Sequence, residues 1–392
     1  MSTAPAGHGD AVLRRTPLYD AHVAAGATMV DFAGWSMPVK YTSDLDEHRA
    51  VRERVGMFDI SHMADITVQG SDAGAFLDWA LAGRLSGLAE MQSKYTMMLD
   101  ESGGIIDDLI ATRTTGDGGH EDDGEGREYS IVANAANRGA VFTALQQRAD
   151  AFGGDVALRD LSDANAIIAV QGPRALEVLQ ACTALRLMDG RTPFADTKYY
   201  RNTVAWFGDG AVRIARTGYT GEDGFELFVR AGDAVALWNA LLEAGAPFGL
   251  QRCGLAARDT LRLEAGMPLY GHELSRDTKP VQAGLGWVVA DKPDYVGKAG
   301  IDAGVPADAP VLVGLVAGGR RAGRAGYAVL DTDGAHVGEI TSGALSPTLG
   351  HPIAMAYVHP RVAEPGTAVA MDVRGTAVPA SVVAMPFYKR QQ

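Results

Sequence analysis

The sequence predicts an α+β fold followed by a separate β-rich domain. Helical and strand-like patterns are mixed from about residue 16 to 290, whereas short strand patterns and turns dominate after about residue 309. A Pro- and Ala-rich stretch at 303–310 separates the two parts. We therefore expect a first region over residues 16–305 and a C-terminal domain over residues 306–390, folded as a small barrel or sandwich.

Six helices are expected in the first region from capping residues and the spacing of apolar positions. Ser43, with Asp46 three residues later, predicts the start of one helix, which should end at Gly56. The other five are expected from near Ser71, with Phe76, Leu77 and Ala80 buried, and at Asn137–Arg148, Pro173–Cys182, Val235–Glu243 and Leu255–Glu264.

Strands are expected where β-branched and aromatic residues cluster between turns. In the first region the clearest are AIIAV at 166–170, VRIAR at 212–216 and ELFV at 226–229. The C-terminal domain carries two hairpin patterns, at 327–341 around Thr332-Asp333-Gly334 and at 369–383 around Arg374-Gly375. Residues 116–128 hold six acidic residues, five glycines and no apolar residue, which predicts a solvated surface loop.

The composition of the 392-residue chain argues against several classes of function. Its hydrophobic content of 47% is typical of a globular protein, and no apolar run approaches the ~18 residues of a membrane span. A formal charge of −13 disfavours nucleic acid and anionic lipid as partners. Cys182 and Cys253 form no Cys-x-x-Cys pair, and no metal-binding, phosphate-loop or dinucleotide motif is present. We expect a cytoplasmic protein without a metal.

One carboxylate, Glu226, stands inside an apolar strand just beyond the glycine-punctuated segment RTGYTGEDG. Its neighbours Phe225 and Leu227 indicate a strand interior, where an ionised acid costs several kcal/mol unless it is paired or hydrogen-bonded. Two partners fit. One is an arginine of the same chain, and the other is a flat heterocycle with an amidine-like N–H edge, such as a pterin.

Two other segments place charges next to apolar residues. Asp107 and Asp108 follow a glycine turn in GGIIDDLI, and strand alternation directs them to opposite faces, so only one can face a cleft. Either both are solvated at a strand end, or one holds a proton or stabilises a cation in a pocket. Arg258 and Arg262 lie one helical turn apart beside Asp259. These residues could form ion pairs at the surface, or Arg258 could bind a carboxylate of a ligand.

Seven segments occur in order along nearly the whole chain: TPLYDAHVAAGATMVDFAGWSMPV, DEHRAVRERVGMFDISHM, GGIIDDLI, AVQGP, RTGYTGEDGFEL, GLAARDTLRLEAGMPLYGHEL and GEITSGALSPTLG. Together they resemble the T proteins of the glycine cleavage system, a family of tetrahydrofolate-dependent aminomethyltransferases. The resemblance implies a three-domain cloverleaf around a central folate site, with the first region divided into two intertwined α+β subdomains and a C-terminal β-barrel closing one side.

The resemblance also implies a reaction and a set of residue roles. The methylene carbon of an aminomethyl group on the lipoyl arm of H protein would pass to tetrahydrofolate, with release of ammonia. By the family motif Asp107 would be catalytic and Asp108 would take the opposite face. The expected folate-binding residues are Glu226 at the pterin edge, Tyr219, Arg258 and Tyr388, together with the pocket-lining residues Met63, Tyr95, Asn134 and Trp287.

Two alternatives come from relatives that share the fold. Folate modules of sarcosine- and dimethylglycine-oxidising proteins accompany a flavin domain, and this chain has no G-x-G-x-x-G motif, although a free-standing demethylase remains compatible with the sequence. Non-catalytic folate-binding proteins of iron–sulfur maintenance carry a K-G-C motif, which is absent here. The aspartate pair in GGIIDD favours the transferase.

Overall fold

The computed structural model describes residues 12–114 and 127–390. The helices are α1 Tyr19–Ala24, α2 Asp44–Glu53, α3 Ala73–Ala80, α4 Arg138–Phe152, α5 Ala175–Ala181, α6 Ala234–Gly245, α7 Leu255–Glu264 and α8 Lys298–Asp302. Short 3-10 helices occupy Ala135–Asn137, Ala231–Asp233, Ala246–Phe248, Gly286–Val288 and Pro360–Val362.

The strands of the first region are β1 Thr28–Phe32, β2 Trp35–Lys40, β3 Val55–Asp59, β4 Ala64–Gly70, β5 Gln92–Leu99, β6 Ile105–Thr114, β7 Arg127–Ala133, β8 Ala157–Asp160, β9 Asn165–Gln171, β10 Leu185–Leu187, β11 Asn202–Phe207, β12 Gly210–Ala215, β13 Gly224–Arg230 and β14 Leu250–Arg252. Those of the C-terminal domain are β15 Val311–Ala317, β16 Ala328–Leu330, β17 His336–Leu345, β18 Pro352–Val358, β19 Ala368–Asp372 and β20 Ala377–Val383.

Two sheets organise the first region. One has the strand order β5-β6-β7-β4-β8 and is antiparallel, and the other has the order β10-β11-β12-β13-β9-β3-β14, in which only β3 and β14 run parallel. Strand β3 precedes the strands of the smaller sheet in the chain and β9 follows them, so the two sheets are interleaved in sequence. The α+β prediction is therefore confirmed.

Each sheet has one face covered by helices and one face turned to a shared interior. In the smaller sheet Ala111 packs with residues of α3 and α4, and its neighbour Thr112 lies on the opposite face. In the larger sheet Ile214 and Leu227 pack with α5 and α6, whereas Arg213 lies on the opposite face. Alternation along the strands therefore separates an apolar core from a polar interior.

The C-terminal domain is a closed barrel of six strands in the order β15-β18-β17-β16-β19-β20. Both predicted hairpins are present, as β16–β17 and β19–β20. The barrel packs on α7, where Arg262 Nη2 donates to Ser342 Oγ at 2.8 Å and Glu264 accepts from the Thr348 amide at 3.0 Å. Arg262 forms the expected ion pair with the exposed Asp259 at 2.8 Å and also pairs with buried Glu273 at 3.0 Å, so its own side chain is buried and not on the surface.

The predicted helices are present, with ends shifted by a few residues. Ser43 caps α2 by accepting from the Asp46 amide, as expected, but α2 ends at Glu53 and Gly56 belongs to β3. A Cβ at Gly56 would lie 2.4 Å from the Val51 side chain, so the glycine permits close packing and does not end the helix. Most of the acidic segment 116–128 lies outside the described residues, and its last two residues begin β7.

Candidate functional site

A cavity of about 610 Å³ lies between the inner faces of the two sheets, within the range of ~300–1,000 Å³ common for small-molecule sites. We call it the central cavity. It is bounded by β5, β6 and β7 on one side and by β9, β12 and β13 on the other, with the β1–β2 tip, residues 266–272 of the segment after α7 and the 3-10 helix at Trp287 completing its wall. A more open groove of about 840 Å³ on the barrel is lined mostly by small apolar residues. The central cavity, in contrast, is lined by several acidic and basic side chains, and we therefore take it as the candidate site.

The aspartate pair is oriented opposite to the expectation. Asp107 is completely buried and accepts from the Asn134 amide at 2.9 Å, from Asn134 Nδ2 at 2.8 Å and from Asn137 Nδ2 at 2.7 Å. Asp108 lines the central cavity, where it accepts from the Tyr95 hydroxyl at 3.1 Å and from Asn134 Nδ2 at 2.8 Å. The expectation that Asp108 points away from the site is wrong, because α4 and its preceding turn cover the other face of β6.

Both carboxyl groups are held where ionisation is costly. Burial, with the neighbouring Asp108, raises the pKa of Asp107 to about 7 in spite of its three N–H donors. Burial also raises the pKa of Asp108, against the opposing effect of the bonds from Tyr95 and Asn134. Within residues 12–114 and 127–390 neither carboxylate has a lysine, arginine or histidine within ion-pair distance. This wall of the cavity therefore favours a positively charged group.

Glu226 lies on the opposite wall, in β13, and accepts a short hydrogen bond from the Thr217 hydroxyl. In the described chain no arginine lies within ion-pair distance of Glu226, so the interpretation that it pairs with an arginine of its own is wrong. The carboxylate is partly exposed to the cavity and retains acceptor capacity for a ligand.

Arg258 reaches the cavity from α7. Its guanidinium lies 4.8 Å from the centre of the Tyr219 ring, and the Tyr219 hydroxyl donates to the Pro268 carbonyl. Burial lowers the pKa of Arg258, and no acceptor or acid in the described part of the chain bonds its guanidinium. Tyr219 thus supports a cation that is available to an anionic ligand.

The other predicted site residues divide into two groups. Met63, Tyr95, Asn134 and Trp287 all line the central cavity, and Trp287 is 71% exposed at its rim, 6.2 Å from the Tyr95 ring. Tyr388 does not line it. The Tyr388 ring lies 4.0 Å from the guanidinium of Arg52 in α2, and the Tyr388 amide donates to the carbonyl of Glu264 in α7. These contacts connect the C-terminal segment to both helices.

Sequence reasoning missed several polar groups of the cavity, among them Arg213 and His62. Arg213 donates to Ser130 Oγ at 2.9 Å and to Asn202 Oδ1 at 3.2 Å, with its guanidinium 3.5 Å from the Phe228 ring. An arginine inside the strand VRIAR was a usable signal, of the same kind as Glu226 in the neighbouring strand. His62 stands in the segment DISHM, where nothing in the spacing distinguishes it from a packed histidine.

Comparison with known proteins identifies the family. The chain matches the model of the GCVT N-terminal domain over residues 18–292 and that of the glycine cleavage T-protein C-terminal barrel domain over residues 311–389. The chain belongs to the glycine cleavage T-protein family. The predicted boundary at 305/306 lies between the two matches and stays a prediction.

Several full-length relatives of this T-protein family chain carry the same name. Aminomethyltransferases of Cutibacterium acnes and Saccharopolyspora erythraea are 51% and 50% identical to it, each over 96% of this chain and 99% and 98% of their own lengths. The crystal structure of glycine cleavage system aminomethyltransferase T from Bartonella henselae matches with a TM-score of 0.85 and 36% identity, over 96% of this chain and 98% of that one. The predicted activity, an aminomethyltransferase of the glycine cleavage system, is confirmed.

Two structural findings bear on the expected absences. In the described part of the chain, no helix is long and apolar enough to cross a membrane. Among the same residues, no three His, Cys, Asp or Glu side chains are grouped so as to hold a metal ion. The buried cysteines Cys182 and Cys253 are both free thiols.

Proposed function

We propose that this T protein transfers the methylene carbon of an aminomethyl group, carried on the lipoyl arm of H protein, to tetrahydrofolate in the central cavity. In the reaction two C–N bonds to folate form, at N5 and N10, while the C–N bond to the amine and the C–S bond to the lipoyl arm break. The two folate N–H protons leave with ammonia and the thiol. The proposal includes a cytoplasmic location, which the two free thiols suit.

The observation that carries this proposal is the arrangement of unpaired charges around one cavity. Asp108 offers a carboxylate without a cation, Glu226 faces it from the other sheet, and Arg258 offers a guanidinium without an acid. Tetrahydrofolate complements the last two groups, because its pterin has an amidine-like N–H edge for Glu226 and a ring oxygen that can accept from Arg258.

We assign the catalytic role to Asp108 and not to Asp107, because only Asp108 lines the cavity. When N5 attacks the methylene carbon, the departing amine leaves an iminium-like positive charge. A fixed carboxylate beside that carbon stabilises the charge without reorganising in the transition state. Tyr95 and Asn134, which each bond Asp108, would hold the carboxylate in position and favour its ionised form.

Glu226 and Arg258 would contribute to catalysis by orienting the bound folate. Glu226 on the larger sheet would accept the N–H groups of the pterin, and Arg258 on α7, which interacts electrostatically with Glu226, would donate to an oxygen at the same end of the folate. Holding the pterin from two sides places N5 against the incoming carbon, which turns a bimolecular encounter into an oriented one. Trp287 is exposed at the rim of the cavity. It would contact a ligand or a lipoyl arm that enters the cavity past this rim toward Asp108.

The test is ammonia release from aminomethyl-loaded H protein, measured with and without tetrahydrofolate. Folate-dependent release with stoichiometric methylenetetrahydrofolate is the expected result. Unlipoylated H protein is the control and should give no release. A folded protein that binds folate but releases no ammonia would overturn the proposed donor, and one that binds no folate would overturn the proposed acceptor.

A further inference from the structure

A strongly basic loop of the barrel lies outside the central cavity. Residues 318–326, between β15 and β16, carry Arg320, Arg321 and Arg324, and all three are exposed. We call this segment the arginine loop. Three like charges within five residues repel one another, and they stand on a chain whose formal charge is −13. A local concentration of one charge sign indicates a surface that attracts a partner of the opposite sign.

The three arginines have no acidic partner within the chain. Among residues 12–114 and 127–390, no acid lies within ion-pair distance of any of them, whereas Arg361 on the same barrel pairs with Asp331 at 2.7 Å. The side chains of Arg320 and Arg321 also make no hydrogen bond to these residues. Both guanidinium groups are therefore available to a partner.

The arginine loop packs against β17. Arg324 Nη1 donates to the Gly343 carbonyl at 3.0 Å, and the Gly326 amide donates to the Ile340 carbonyl at 2.8 Å. A Cβ at Gly323 would lie 2.3 Å from the Ile340 side chain, so the close approach of the loop requires this glycine. Because the backbone is held at these points, less conformational entropy is lost when a partner binds to the loop.

Strand β17 connects the arginine loop to the rim of the central cavity. The exposed His272 lines the cavity, and its Nδ1 donates to the carbonyl of Thr341, two residues before Gly343, at 3.2 Å. Tyr270, two residues before His272, also lines the cavity. Burial, with the aspartate pair nearby, raises the pKa of Tyr270. The part of the rim next to the arginine loop is therefore on the Asp108 side of the cavity.

The donor of the proposed reaction is an arm tethered to a protein, so the surface of that protein must meet the rim when the arm reaches Asp108. We propose that the arginine loop is a docking surface for an acidic face of the lipoylated H protein. The inference rests on the proposed function, because it takes H protein as the carrier of the arm. Complementary charges at an interface mainly increase the association rate and fix the orientation of the partner. Docking at this loop should therefore lower the KM for H protein and leave the chemical step unchanged.

The test compares two donors that carry the same reacting group. One is aminomethyl-loaded H protein, and the other is free aminomethyl-dihydrolipoamide, which has the arm but no protein surface. Arg320→Glu/Arg321→Glu reverses both available charges and keeps Arg324, which holds the loop on β17. At ~0.1 M ionic strength, where the Debye length is ~10 Å, this variant should raise the KM for H protein roughly tenfold. The kcat with H protein, the turnover of the free arm and the affinity for folate should stay at their wild-type values.

Salt provides a second measurement, which a merely structural role of the loop would not affect. Raising the ionic strength to ~1 M shortens the Debye length to ~3 Å and should bring the wild-type KM for H protein toward that of the variant. Arg159→Glu/Arg186→Glu is the matched control, because it reverses two exposed arginines on the edge strands β8 and β10 and changes the net charge equally. The control should behave as wild type with both donors.

The outcomes separate the docking surface from the proposed function. An unchanged KM for H protein in folded Arg320→Glu/Arg321→Glu would overturn the docking surface, and so would an equal loss of turnover with both donors. Weaker folate binding with an unchanged KM for H protein would also overturn it and would assign the loop to the acidic tail of the folate. Wild-type protein that releases ammonia from neither donor would instead contradict the proposed function. If charge reversal prevents folding, Arg320→Gln/Arg321→Gln removes both charges and should raise the KM for H protein roughly threefold.

Discussion

Replacing Asp108 by Asn should remove most turnover and leave folate binding nearly unchanged. Asp108 is enclosed by the cavity wall and carries no compensating cation, so its charge acts on a developing cation with little screening. At ~4 Å and an effective dielectric constant of ~20 the interaction is about 4 kcal/mol, which corresponds to roughly a thousandfold in rate. The substitution is tolerable locally, because the Tyr95 hydroxyl can accept from the new amide.

The Asp107→Asn variant is the most informative comparison for that experiment. All three groups that bond its carboxylate are N–H donors, so Asp107→Asn sets an amide against a donor and leaves at least one of them unsatisfied. An unsatisfied buried donor costs about 1–3 kcal/mol of unfolding free energy. Single-turnover ammonia release, folate binding and denaturant unfolding should be measured on both variants. A stable, inactive Asp107→Asn beside an active Asp108→Asn would refute the assignment from cavity geometry.

Three further substitutions test separate parts of the site. Tyr95→Phe removes a donor that stabilises ionised Asp108, which raises the pKa of that carboxyl, so the acid limb of the turnover profile should move up by about one pH unit. Glu226→Gln should weaken folate binding by about 2 kcal/mol, or roughly thirtyfold, in a titration. Arg262→Met leaves the Glu273 carboxylate buried and unpaired and should cost about 3–5 kcal/mol of unfolding free energy.

Each of these variants has a control within the chain. Tyr129→Phe removes a buried hydroxyl that has no partner in the described structure and should not move the acid limb. Glu177→Gln alters an exposed acid on α5 and should leave folate affinity unchanged. Adding Glu273→Gln to the Arg262 variant should restore part of its stability, since it removes the unpaired charge. A shifted acid limb in Tyr129→Phe, or no recovery in the double variant, would contradict the respective explanation.

Local pattern was sufficient to predict six of the eight helices in the described chain, α2 to α7, but not which face of a strand meets the cavity. The helix over Leu255–Glu264 was predicted at its observed bounds, because capping and apolar spacing are local properties. Alternation correctly sent Asp107 and Asp108 to opposite faces. Which face is covered depends on where α4 packs, and this depends on contacts distant in sequence, so the sequence alone could not choose between the two aspartates.

The sequence also could not predict the environment of residues that contact a distant segment of the chain. Arg262 has the appearance of a surface residue on a charged helix, and only the docking of the barrel buries it against Ser342. Tyr388 matches a family position by its motif, yet the path of the C-terminal segment places its ring on Arg52. For both residues the contact that determines the environment of the side chain is made with a segment more than 75 residues away in the sequence.

The charges around the central cavity are more informative together than singly. Asp108 and Glu226 lie on facing sheets, and Arg213 and Arg258 lie nearby, yet no acid and base among these four form an ion pair. Pairing would have stabilised the free protein and would have neutralised the groups that a ligand must bind. The structure instead holds each charge apart with neutral partners such as Tyr95, Thr217, Ser130 and Tyr219. A ligand that brings a donor edge, a developing cation and an oxygen acceptor supplies the missing counterparts, so its binding should stabilise the protein more than its contact area alone would.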